Sequence, residues 1–249
     1  MPVDIIYGVN AVLEALRAGK RQIEAITILE SARPDRLKPL LDLAREKRVP
    51  VHRVPRLDLG DVRHQGVVAR IAAARYTGAD ELLDLLESKI ESTDPPLVVG
   101  LDGIEDPHNL GSIVRTAECA GVHGVFIAER RAVGLTSVVA KVAAGALEYV
   151  PVARVTNLVR LIEQLKERNI WVVGAAAEAK QTYTEWDWTL PAAIFLGNEG
   201  HGLHRLVREH CDTLVRIPVV GKLDSLNVSV AAGVLLYEAR RQRDSIAKG

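Results

Sequence analysis

The chain has 249 residues, 48% of them hydrophobic, and its 32 basic side chains balance its 32 acidic ones. This length and composition fit a soluble globular protein of one or two domains. No apolar run reaches the roughly 18 residues of a membrane span, and no signal-peptide pattern opens the chain. Cys119 and Cys211 form no CxxC pair. That argues against a zinc ribbon or disulfide framework and fits a reducing cytoplasm.

The charge is unevenly divided. Residues 1–75 hold 14 Lys and Arg against 9 Asp and Glu, a net of +5, and the remainder carries −5. A basic module ahead of an acidic body suits contact with a polyanion. Within that module Val9, Val12, Leu13 and Leu16 recur at helical spacing and stop at Gly19. Residues 25–29 read as a strand, Leu37, Leu40, Leu41 and Ala44 mark a second helix, and 49–54 and 66–74 read as strands. Together they predict a small alternating α/β unit. Residues 76–93 are charged and lightly amphipathic and are expected to form a partly helical linker. Asp94-Pro95-Pro96 then marks the entry to a second domain, 94–249.

In that domain strands are expected near 97–101, 124–128, 150–153, 170–175, 192–196 and 214–217. Helices are expected near 111–120, 137–146, 158–168 and 203–210. Continuous apolar strands such as WVVGAA and AAIFLG suit a parallel sheet covered on both faces. The fold class is α/β, a doubly wound sheet whose ligands sit at the carboxyl ends of strands.

Three polar clusters fall at such ends. The first is DPHNLGSIVRTA, residues 106–117, where Asn109 is a candidate helix cap. Arg115, about one turn into the following helix, is either a surface residue or a phosphate ligand. The second is LGNEGHGL, residues 196–203. Its glycines at 197, 200 and 202 permit close backbone approach to a ligand. Glu199 is expected in the first turns of a coming helix, where a carboxylate is favourable. His201 and His204 are three apart, but no carboxylate or cysteine set accompanies them, so no metal site is expected.

The third cluster lies in IPVVGKLDSLNVSVAAGVLLYE, residues 217–238. A polar turn at 222–225 precedes a nearly uncharged run, 226–237, that predicts a helix buried nearly all round. Ser225 is a candidate N-cap. Asn227 falls inside the predicted helix, and an unbonded buried amide there would cost about 1–3 kcal/mol. It therefore needs a partner or a ligand. No Ser-His-Asp grouping, GxSxG elbow or HExxH occurs, which argues against a hydrolase.

Taken together, the motifs DPHNLGSIVRTAECAG, FLGNEGHGL and IPVVGKLDSLNVSVAAGVLLYEA resemble those of the SpoU/TrmH class of SPOUT RNA methyltransferases. YGVNAVLEAL and HQGVVAR are similar to the substrate-binding domain of the subgroup that methylates a guanosine 2′-hydroxyl in large-subunit ribosomal RNA. The resemblance implies a trefoil-knotted catalytic domain, a homodimer with its site at the knotted interface, and S-adenosylmethionine as cofactor. It places cofactor contacts on Gly197, Gly200, Ile217, Val219 and Leu226. It assigns Asn109, Arg115, Glu199, Ser225 and Asn227 to orienting ribose, cofactor loop and reacting hydroxyl. Glu199 is left to pair with Arg115 or with a loop amide. A transfer-RNA 2′-O-methyltransferase and a non-catalytic RNA-binding assembly factor are the alternatives; the N-terminal module favours ribosomal RNA, and the intact polar set favours catalysis.

Overall fold

The computed structural model describes residues 3–58 and 64–246. The chain divides into two compact units, residues 1–75 with 134–149, and residues 76–133 with 150–249.

The first unit runs β1 (Val3–Tyr7), α1 (Val9–Ala18), β2 (Ile23–Leu29), α2 (Pro34–Glu46), β3 (Val51–Val54) and β4 (Val67–Ala72). Its sheet has the order β1-β4-β2-β3; β4 is antiparallel to β1 and β2, and β3 is parallel to β2. The helical spacing read from the sequence works as expected. Val12, Leu16, Leu37 and Leu40 of the two helices are buried together with Ile26, Ile28, Val67 and Ile71 of the sheet. Gly19 closes α1 at φ 63°, its N–H donating to Ala15 O, the left-handed cap that glycine adopts without strain. Strand β1 was not anticipated, because five residues are too few to declare a period.

The second unit opens with α3 (Ala79–Glu87), β5 (Leu97–Asp102), α4 (Pro107–Cys119) and β6 (Gly124–Ala128). Residues 76–93, expected as a linker, thus contain α3, and its Leu82, Leu83 and Leu86 are buried in this unit's core. The light amphipathicity was a narrow stripe of three leucines, enough to dock a nine-residue helix.

Residues 134–149, expected inside the second domain, cluster instead with the first unit. They hold α5 (Ser137–Val142) and a 3-10 turn at Ala146–Glu148. Ala140 packs on the first unit's core, and Lys141 Nζ lies 4.6 Å from the centre of the Tyr7 ring. Glu148, 3% exposed, is paired with Arg21. A buried carboxylate needs such a partner, and removing it would cost about 3–5 kcal/mol.

The second unit continues with β7 (Val152–Val155), α6 (Leu158–Glu167), β8 (Trp171–Ala175), β9 (Gln181–Thr182), β10 (Ala192–Gly197), α7 (Arg205–His210), β11 (Thr213–Arg216) and α8 (Val228–Ile246). Its seven strands are all parallel, in the order β7-β6-β5-β10-β8-β11-β9. The order reverses beside β5, where β6 lies on one side and β10 on the other. One sheet face buries leucines and isoleucines of α3 and α6, and Val207 of α7, against Val98, Phe126 and Phe195. A Cβ on Gly100 of β5 would come within 2.6 Å of the Phe195 ring, so glycine there makes room for the largest side chain of β10.

Helix α8 packs on α4 and β10. It buries Ala232, Leu235, Leu236 and Ala239, yet Val230 and Tyr237 are 52% and 53% exposed. The helix expected to be buried all round is therefore one-sided, because the described residues pack on one flank of it. Near its end Arg243 is buried and donates to the carbonyls of Trp188, Leu190, Pro95 and Pro96. Burial pushes its guanidinium down to about 10. Among the described residues no helix is long and apolar enough to cross a membrane.

Candidate active site

The carboxyl ends of β8, β10 and β11, with the turn leading into α8, surround a cavity of about 450 Å³, within the usual size of small-ligand sites. It opens at the end of β10, the neighbour of β5 on one side of the point where the strand order reverses, and open parallel sheets bind ligands at such carboxyl ends. All five expected cofactor-contact residues, Gly197, Gly200, Ile217, Val219 and Leu226, line it, together with Glu199 and Ser225.

The loop after β10 is shaped by its own residues. Gly197 packs so tightly on the returning chain that a Cβ would lie 2.0 Å from the Gly202 carbonyl carbon. Asn198 and Gly202 exchange backbone bonds of 3.1 and 2.8 Å. The Asn198 side chain donates to Gly103 O at 2.9 Å and accepts from Gly200 N at 2.7 Å. Asp102, buried at the end of β5, accepts from His204 N at 2.7 Å and lies 2.9 Å from His204 Nδ1. Asn198, Asp102 and His204 were not singled out as site residues. The signal was there in part: Asn198 sits between Gly197 and Glu199, but its reach to Gly103 is a tertiary contact.

This loop is not the start of a helix. Helix α7 begins at Arg205, so Glu199 is a turn residue whose carboxylate faces other segments. One oxygen, Oε1, accepts from Asn109 Nδ2 at 2.9 Å, from Asn227 Nδ2, and from Val228 N at 3.4 Å. Asn227 Nδ2 also donates to Asn109 Oδ1 at 3.0 Å. Three side chains from the three sequence motifs thus close a ring. Glu199 thus pairs with the side-chain amides of Asn109 and Asn227, and neither with Arg115 nor with an amide of its own loop.

The two expected caps are reassigned. Asp106, not Asn109, caps α4, accepting from His108 N at 2.8 Å. Asn109 is 8% exposed, and its buried amide is satisfied by the ring. At α8 the cap is Asn227, not Ser225: Asn227 Oδ1 accepts from Ser229 N at 2.9 Å and Val230 N at 3.3 Å. The helix starts later than the apolar run predicted, so Asn227 stands at its boundary and not inside it. Ser225 Oγ bonds Asp224 Oδ1 at 3.3 Å in the exposed turn before it.

Arg115 is not brought into the ring. It is exposed on α4 and forms no ion pair among the described residues. His201 and His204 do not share a helix face, since both precede α7. Among the described residues no group of three His, Cys, Asp or Glu is placed to hold a metal.

The cavity suits a cationic ligand with an apolar part. Glu178, Glu199 and Asp224 line it against one guanidinium, Arg208, and Leu196, Ile217, Val219 and Leu226 supply apolar wall. Arg208 bonds Glu178 at 2.6 Å. The Glu178 carboxyl is held below its usual range, first by its own backbone N–H and, against opposing burial, by Arg208. S-adenosylmethionine, with its sulfonium and flat adenine, fits that donor set.

A parallel α/β sheet with a glycine-lined cavity at strand carboxyl ends and a ring of three polar side chains beside it has the form of a ligand-binding enzyme site. The profile of the family described as SpoU rRNA Methylase matches residues 96–237, and that described as RNA 2′-O ribose methyltransferase substrate binding matches residues 5–77. The chain belongs to the SpoU rRNA methylase family and is an S-adenosylmethionine-dependent RNA 2′-O-methyltransferase. It is 46% identical over 241 residues to the 23S rRNA (guanosine-2′-O-)-methyltransferase RlmB of Pseudomonas putida, covering 96% of both chains. It is 42% identical over 244 residues to RlmB of Escherichia coli, covering 96% of this chain and 99% of that one. Among solved structures, the SpoU methyltransferase AviRb of Streptomyces viridochromogenes in complex with AdoMet is similar at TM-score 0.77 and 26% identity. That match covers 98% of this chain and 91% of the other.

Proposed function

We propose that this chain methylates the 2′-hydroxyl of a guanosine in 23S ribosomal RNA, acting as a homodimer in the bacterial cytoplasm. The observation that carries the catalytic reading is the ring Asn109–Glu199–Asn227 beside the cavity. The substrate reading is supported by the RlmB relatives, which this chain matches along nearly its whole length. A TrmH/SpoU tRNA modifying enzyme of A. aeolicus, by contrast, covers 68% of this chain. The N-terminal unit, with its basic excess, is assigned to RNA and the remainder to the cofactor.

Gly197, Gly200, Ile217, Val219 and Leu226 hold the cofactor, which when bound supplies an electrophilic methyl group on sulfur. The protein's task is alignment, because a ribose hydroxyl is a weak nucleophile and well-oriented reactants gain up to about 7–11 kcal/mol. The ring fixes the loop 197–203 against the start of α8, and Ser225 orients the turn that closes over the cavity. Arg115, exposed and without an ion partner among the described residues, holds the phosphate next to the target ribose as a planar fork and stabilises negative charge on the 2′-oxygen. An exposed guanidinium holds its proton too firmly to act as the base. The hydroxyl proton leaves to an RNA phosphate or to water.

The homodimer reading is supported by the exposed apolar face of α8, Val230 and Tyr237, continuous in sequence with exposed Leu223 and Leu226. The trefoil knot belongs to the same reading. Mapping ribose methylation in 23S and transfer RNA from cells with and without the gene tests the substrate. Loss of one 23S 2′-O-methylguanosine is expected; loss confined to transfer RNA would replace the reading.

A further inference from the structure

The first unit has a second cavity, far along the chain from the motifs of the methyl-transfer site. Its volume is about 690 Å³, and Val9 and Leu29 contribute apolar wall. Asn10 and Gln65 present side-chain amides to it, and Arg33 and Arg36 complete it. Among the described residues no carboxylate lines it. Both arginines are exposed and neither forms an ion pair among the described residues. Gln65 is held in the left-handed region at φ 54° and its Oε1 accepts from Val9 N at 3.1 Å. That bond uses the amide oxygen, and the two hydrogens on Gln65 Nε2 are the side chain's donors.

We infer that this cavity takes an unstacked nucleotide of the RNA, one other than the nucleotide that is methylated. The inference rests on the RNA reading above. An apolar wall receives a base face, side-chain amides address base edges, and a pair of arginines meets the flanking phosphates. Single-stranded bases expose the edges that such amides bond, whereas A-form duplex hides them in a deep groove. Among the described residues no aromatic side chain lines the cavity, and recognition runs through hydrogen bonds and charge. Asn10, in the first turn of α1, is the residue whose loss removes base contact without changing charge.

The test measures binding of the full-length protein to two probes at fixed salt: unmodified 23S ribosomal RNA transcribed in vitro, and a perfectly paired RNA duplex. Asn10→Ala is expected to weaken the ribosomal RNA complex about fivefold and leave the duplex complex unchanged. The double variant Arg33→Ala/Arg36→Ala is expected to weaken the ribosomal RNA complex about tenfold and flatten its salt dependence by about 1–1.5 log units per log unit. S-adenosylmethionine affinity, read by calorimetry, stays at the wild-type value in both and reports on folding. An ineffective Asn10→Ala, an equal loss on both probes, or no RNA binding by the wild type would each overturn the inference. Wild-type protein that binds the ribosomal RNA without methylating it would refute the functional reading alone, and the variant comparison would still decide the cavity.

Discussion

Asn227 Nδ2 donates to Asn109 Oδ1 at 3.0 Å while Asn227 Oδ1 caps α8 through Ser229 N at 2.9 Å. One side chain therefore does two separable jobs. Its oxygen starts the helix, and its nitrogen joins that helix to α4 and to Glu199.

The two jobs predict different variants. Asn227→Ala loses both and should cost about 1–2 kcal/mol of stability together with most turnover. Asn227→Ser keeps a capping oxygen and loses the donor to Glu199. Its melting temperature should stay close to wild type while methyl transfer falls at least about tenfold. Equal turnover in Asn227→Ser and wild type would reduce the residue to a cap.

Gly197→Ala should abolish cofactor binding without unfolding the N-terminal unit. A Cβ 2.0 Å from Gly202 forces apart the two strands of the loop that Asn198 and Gly202 hold together. Calorimetry with S-adenosylmethionine should show no measurable heat. Wild-type affinity in this variant would mean that the loop does not form the cofactor wall.

Acid should destabilise the fold through His123. Its Nδ1 accepts from Leu97 N at 3.1 Å, and its Nε2 faces Asp94 at 3.3 Å. Burial, against the opposing pull of Asp94, lowers its pKa from 6.5. A histidine depressed in the folded state is neutral there while the unfolded chain takes up the proton. Stability from this group is thus present above about pH 6.5 and is lost as pH falls through the lower folded value. Melting curves between pH 7.5 and 5.5 should show a smaller drop for His123→Gln than for wild type. Identical drops would show that His123 does not report on acid stability.

Domain truncation distinguishes two boundaries. A chain beginning at Asp94 lacks Leu82, Leu83 and Leu86, which are buried in the second unit. Leu→Ala changes in cores each cost about 2–5 kcal/mol, so removing three leucines should leave that chain unfolded. A chain beginning at Tyr76 keeps them and should be the more stable of the two by thermal melting. Equal stability would return 76–93 to the role of a linker.

Much of the second unit was legible because its strands are uniformly apolar and its helices amphipathic, and period and composition agree there. Ile217, Val219 and Leu226 were placed at the cavity through the motif resemblance and not by periodicity. The caps were misread for a common reason. Asn109 and Ser225 have the right chemistry, but so do Asp106 and Asn227 beside them, and only the chain path chooses. The placement of 134–149 with the first unit was invisible, since the Arg21–Glu148 pair joins residues 127 apart. Arg115 read as either surface or ligand from sequence, and its exposure in the fold is compatible with both.

Arg115 separates these two by substitution. Arg115→Lys keeps the charge and removes the fork, so both Arg115→Lys and Arg115→Ala should lose nearly all methyl transfer with S-adenosylmethionine affinity little changed. Wild-type turnover in Arg115→Ala would return the residue to the surface.

The most direct test of the whole account is the chemical identity of the product. Purified protein, S-adenosylmethionine labelled in the methyl group and unmodified 23S ribosomal RNA are incubated, and the RNA is digested to nucleosides and analysed by mass spectrometry. The account predicts label in 2′-O-methylguanosine, reduced at least about tenfold when Asn227→Ser replaces the wild type. Label on a base, or label on ribose that survives undiminished in Asn227→Ser, would contradict it.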